Sequence, residues 1–177
     1  MSLSTEEVQT AEKDRSLEGQ AVLFTLAGCE LGIPIGVTRE IIRVTDITHM
    51  PKAPKFLQGV INLRGRVIPV LDLKKRFDMP LLDRTEETRI LVVEWQGQSI
   101  GLLVDKVVEV VRFSPASMET ATEDILNIGV EYMDGLLQMG PRLVVLLKME
   151  KISSIEELRS GQERENLLGG EEKAFGH

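Results

Sequence analysis

A chain of 177 residues with a formal net charge of −7 has no basic surface to neutralise phosphates, which argues against nucleic acid and direct binding to anionic membrane. Hydrophobic residues make up 42% and charged residues 28%, a globular balance, while aromatics are only 4%, so the core must come from Val, Ile and Leu. The single cysteine, Cys29, excludes an intrachain disulfide and a cysteine-based metal cluster. No apolar run approaches the roughly 20 residues of a membrane-spanning helix.

Residues 1–18 are polar and unpatterned and read as a disordered N-terminal tail. Glu6, Glu7, Glu12, Lys13, Asp14 and Arg15 are the opposite of a signal-peptide core, so the expected location is cytoplasmic. Strands follow at Val22–Leu26 and Leu31–Ile35 about an Ala27-Gly28-Cys29-Glu30 turn, then at Thr38–Val44. A connection punctuated by Pro51 and Pro54 leads through Lys55–Gln58 to a hairpin, Gly59–Leu63 in and Arg66–Leu73 out, turning at Arg64-Gly65. Asp83–Glu87 is a charged linker, and after it the pattern restarts.

The restart is an internal duplication. A shift of 69 lays Gly28 on Gly97, Gly32 on Gly101, Glu40 on Glu109 and Arg43 on Arg112, with Ile33 on Leu102 and Ile41-Ile42 on Val110-Val111. A shift of 76 superposes the hairpins, Gly59 on Gly135, Arg66 on Arg142 and Leu71 on Leu147. Seven residues are therefore inserted within 114–134 of the second half. Each half holds about five strands, the make-up of a small closed barrel, and would be marginal alone. The fold expected is all-β: two five-stranded SH3-like barrels around a shared core, lobe one at about 20–82 and lobe two at about 87–152. A C-terminal helix is expected at about 153–160, capped by Ser153 or Ser154 ahead of Ile155–Leu158, with a polar tail over 161–177.

No catalytic constellation emerges. Gly59–Arg66 has the wrong glycine spacing for a phosphate loop and lacks its Lys-Ser/Thr ending. His49 and His177 have no partner at ligand or triad spacing. No cofactor and no metal is expected. Glu40 and Glu109 sit among β-branched residues at equivalent positions, one per half, which suits ion pairing with Arg43 or Arg112, open solvent, or a partner contact better than acid/base work. Arg64 stands at the hairpin tip beside Gly65, where its counterpart is Gly140, so the turn itself does not require an arginine. It is either solvated or a fixed guanidinium offered to a carboxylate, within the molecule or on a partner.

Phe24–Leu26, Leu31–Ile35, Glu40–Ile42, Ile47-Thr48, Gly59–Gly65 and Ile68–Leu73 closely resemble the CheW family, the coupling proteins of bacterial chemotaxis. Ile100–Val107, Gly135 and Lys151-Ile152 extend the likeness, so that residues 19–160 read as a CheW-like domain. The resemblance implies two SH3-like barrels and a scaffold without activity of its own, bridging the regulatory domain of the histidine kinase CheA to the cytoplasmic tips of chemoreceptors. It further implies rings in which this fold alternates with the kinase's related regulatory domain, leaving self-association in rings open, and a location at receptor clusters on the inner face of the membrane, with no membrane insertion. By the same likeness Thr38, Glu40, Ile41 and Ile42 match a kinase-contacting strand, and Gly59, Asn62, Arg64 and Gly65 match the receptor-docking and inter-lobe region. Thr38 departs from the family's usual Val, which weakens the apolar part of that contact. Other readings are a coupling protein of a non-swimming chemosensory pathway, a regulatory fragment of the same fold, and a ligand-binding module.

Overall fold

The computed structural model describes residues 19–126 and 128–153. Ten strands form in chain order: β1 (Gly19–Leu26), β2 (Cys29–Pro34), β3 (Thr38–Arg43), β4 (Leu57–Leu63), β5 (Arg66–Asp72), β6 (Arg89–Trp95), β7 (Gln98–Val104), β8 (Lys106–Phe113), β9 (Met133–Met139) and β10 (Arg142–Leu147). Two short helices, α1 (Leu73–Arg76) and α2 (Met149–Ser153), each follow the closing strand of a half. The expected helix over 155–158 lies outside the described residues. Ser153, one of its two expected caps, is instead the last residue of α2, its hydroxyl donating to the Met149 carbonyl at 2.7 Å.

The strands make two five-stranded sheets, ordered β8-β1-β2-β10-β9 and β3-β6-β7-β5-β4. Exchanging the two halves, β1 for β6 and so on, turns one order into the other, so the duplication is complete down to strand order. Even the bulges correspond. The register skips Arg39 in β3 and Val108 in β8, and skips Gln58 in β4 and Asp134 in β9. Each sheet closes on itself where the chain beyond one edge strand bridges the other edge, Thr48 to Val60 and Glu119 to Leu136. The second bridge also places the insertion, two residues before Glu119 and five between it and β9.

Lobes contiguous in sequence, 20–82 and 87–152, are not what forms. Each sheet takes its β1-β2 or β6-β7 hairpin from one half and its other three strands from the other. The parallel contacts β2–β10 and β5–β7 and the antiparallel contacts β1–β8 and β3–β6 are the seams of this exchange. A repeat in sequence tells which segments are equivalent, but not whether a hairpin folds back on its own half or on the other.

The exchange explains the near-continuous apolar runs of β1 and β6, which are buried on both faces. Val22, Phe24 and Leu26 join Leu91 and Val93 in one large core shared by the sheets. The alternate residues point into their own barrel, Ala21 and Leu23 in one and Ile90 and Val92 in the other. Three hairpins turn on two residues with positive φ, Ala27-Gly28, Arg64-Gly65 and Gln96-Gly97, matching the right-handed twist of the strands they join.

Candidate functional site

β3 and β4 are the two edges of one sheet, and closing the barrel brings their ends together. The bulge at Arg39 re-aims the strand so that Glu40 points at the β4–β5 hairpin. There Arg64 meets it with two parallel bonds, Nη1 to Oε2 at 2.7 Å and Nη2 to Oε1 at 3.1 Å. This fork-to-fork pairing fixes a guanidinium plane as a lysine could not. The hydrogen bond to Glu40, and then its charge, raise the Arg64 pKa above the ordinary guanidinium value. Arg64 itself takes φ 51, an unfavourable backbone for a side-chain-bearing residue. Asn62 steadies the turn by accepting the Gly65 N–H at 2.9 Å.

The pair is built to be seen. Arg64 is 74% exposed over a Glu40 that is 28% exposed, and Ile41, the next residue along β3 and so on its other face, is 45% exposed. The other expected residues divide by role. Ile42 packs with the barrel-interior cluster of Ile61, Ile68 and Val70. Thr38 donates its hydroxyl to the Pro34 carbonyl at 3.2 Å. Gly59 is buried, and a Cβ there would run into the Thr48 carbonyl, so its part is to let the barrel close.

A family model described as a CheW-like domain matches residues 20–157. The chain belongs to that family. It is 32% identical over 137 residues to the chemotaxis protein CheW of Klebsiella aerogenes, covering 77% of this chain and 82% of that one. It is 31% identical over 148 residues to that of Thermotoga maritima, covering 82% and 93%. The crystal structure of the scaffolding protein TtCheW from Thermoanaerobacter tengcongensis superposes with a TM-score of 0.70 at 34% identity, covering 74% of this chain and 84% of that one. CheW membership places the chain among the chemotaxis scaffold proteins.

As a CheW-like protein it carries two further polar clusters that sequence reasoning missed. Of the expected alternatives, pairing with Arg43 or Arg112 does not form: Glu40 pairs with Arg64, and Glu109 with Arg142 at 3.2 Å. Arg142 mainly holds Glu30, through Nη2 at 2.6 Å and Nε at 2.9 Å, and that hydrogen bond keeps the Glu30 carboxyl below its usual pKa against the opposing effect of burial. The two pairs are pseudo-equivalent, each joining the β3-type strand to the hairpin of its own half. The clue was Arg66 matching Arg142 under the hairpin shift, with the hairpin arginine displaced by two residues between halves.

The second cluster is nearly buried. Lys74 in α1, 7% exposed, donates to Asp105 Oδ1 at 2.6 Å, and Asp105 Oδ2 accepts the Ala27 N–H at 2.7 Å. One carboxylate thus ties a turn of the first sheet to the helix on the second. α1 was not expected either, although Asp72 caps it through the N–H groups of Lys74 and Lys75. Among the described residues no three His, Cys, Asp or Glu converge as metal ligands, and no helix is long and apolar enough to cross a membrane.

Proposed function

We propose that this chain is a non-catalytic adaptor coupling the regulatory domain of the histidine kinase CheA to the cytoplasmic tips of chemoreceptors, at receptor clusters on the inner face of the membrane. The observation that carries the reading is the Glu40–Arg64 pair, an exposed guanidinium held by a half-buried carboxylate, on the strand that also exposes the apolar Ile41 on its other face. An apolar anchor and an oriented charge on one strand supply burial and register, the two needs of a specific protein contact. Ile41 and Glu40 form the kinase-facing strand, and Arg64 with Asn62 and Gly65 forms the receptor-facing tip. Ile42, Thr38 and Gly59 act from behind, by holding β3 and the hairpin in place.

Calorimetric titration against the CheA regulatory domain tests this. One-to-one binding, weakened by Glu40→Lys with the melting midpoint nearly unchanged, is the expected result. Arg64→Ala should impair receptor-dependent kinase control. The charge exchange Glu40→Arg with Arg64→Glu separates contact from scaffolding, since it rebuilds the pair with reversed polarity. Full recovery of both bindings by the exchange would mean that neither charge is read by a partner.

A further inference from the structure

β3 ends at Arg43, and the antiparallel register sets Arg43 directly opposite Arg89 at the start of β6. Like charges facing each other across a ladder are destabilising. The duplicated fold shows that the arrangement is not required for folding, because the equivalent pair in the other sheet is Gln20 opposite Arg112. A third arginine, Arg84, joins them from the linker, and together with Val44 and residues 85–88 they line an open cleft of about 670 Å³.

The guanidiniums there are poorly satisfied. Arg43 and Arg84 make no hydrogen bond or ion pair among the described residues, and both are exposed. Arg89 spends only Nη1, on the carbonyls of Glu86 and Thr88 at 2.7 and 2.9 Å, which pins the group without using its remaining N–H donors. Two carboxylates also line the cleft. Glu87 pairs with Lys106 at 3.2 Å, which leaves Glu86 against three arginines in the count of charges lining the cleft. Donors thus exceed acceptors, in a chain whose overall charge is −7.

We propose that the Arg43–Arg84–Arg89 cleft binds an acidic peptide segment of a partner protein. Carboxylates spaced along an extended chain match separate, forked guanidinium donors, each able to take one side chain bidentately. The position supports a peptide, since β3 is an edge strand and the cleft continues directly from the strand carrying Glu40 and Ile41. A partner lying on that strand would reach the cleft without a change of direction. The inference rests on the arginines and their place at the end of β3, and is tested without CheA or receptor.

The test is fluorescence anisotropy of labelled hexaglutamate titrated with the full chain at about 50 mM salt, where surface charge is weakly screened. Saturable binding is expected, with roughly a tenfold loss in the Arg43→Gln/Arg84→Gln double variant. Arg112→Gln, which removes the lone counterpart arginine, should leave it unchanged. No binding overturns the proposal, as does an equal loss in Arg112→Gln. Equal affinity for a labelled hexathymidylate would also overturn it, by showing an unselective anion patch.

Discussion

Gly59 and Gly135 occupy equivalent places in β4 and β9, next to the bridges that close the two barrels, yet alanine should affect them differently. At Gly59 the added Cβ meets the Thr48 carbonyl, and φ is 153, a backbone unfavourable for any residue with a side chain. The clash falls on the bridge itself, made by Thr48 N–H to Val60 O at 2.8 Å and Val60 N–H to Thr48 O at 2.9 Å. Losing both bonds, at about 1 kcal/mol each, with about 1 kcal/mol of backbone strain, gives a destabilisation of about 2–4 kcal/mol. At Gly135 the obstacle is the Met118 side chain, and the Glu119 carbonyl stands back at 3.1 Å. A thioether can change rotamer for about 1 kcal/mol, so Gly135→Ala should be the milder change. Urea unfolding of both variants measures the difference, and hydrogen exchange at Thr48 and Val60 should rise only in Gly59→Ala. Equal destabilisation, or a Gly59→Ala effect of under about 1 kcal/mol, would refute the argument from backbone approach.

Ile33 and Leu102 are equivalent and wholly buried in the shared core, so Ile33→Ala and Leu102→Ala should each remove about 2–5 kcal/mol. Because strands are exchanged, both should lower one common transition seen by circular dichroism and Trp95 fluorescence. A transition in which one sheet melts at its original midpoint would contradict the shared core. Glu30→Gln should be destabilising at neutral pH. Since the folded Glu30 pKa is depressed, the contribution of its carboxylate is complete above the unfolded value of about 4.3 and fades as pH falls through the folded one. The gap between the natural chain and Glu30→Gln should therefore close in acid, and a gap unchanged at about pH 3 would exclude the Arg142 pairing as its source. Asp72→Ala should cost about 1–2 kcal/mol by uncapping α1, with Asn retaining most of that. Stability measured by denaturant titration decides it.

The amino-acid order by itself determined the strands, the positions of their turns and the duplication. Those rest on local facts: alternating apolar side chains, and glycines at Gly28, Gly65 and Gly97 where φ must be positive. It also singled out Glu40 and Arg64, as a carboxylate among β-branched residues and an arginine the turn did not need. Only the tertiary structure decided that these two belong to one site, because their pairing depends on a barrel closing between strands that are not neighbours in its sheet. The same holds for the exchange of hairpins between halves, since apolar alternation is satisfied equally by either barrel. Glu30 with Arg142, and Lys74 with Asp105, join residues 112 and 31 positions apart, a separation over which local patterning carries no information about partners. The folded chain fixes them through strand register, which brings Arg142 to both Glu30 and Glu109 and leaves Arg43 facing Arg89.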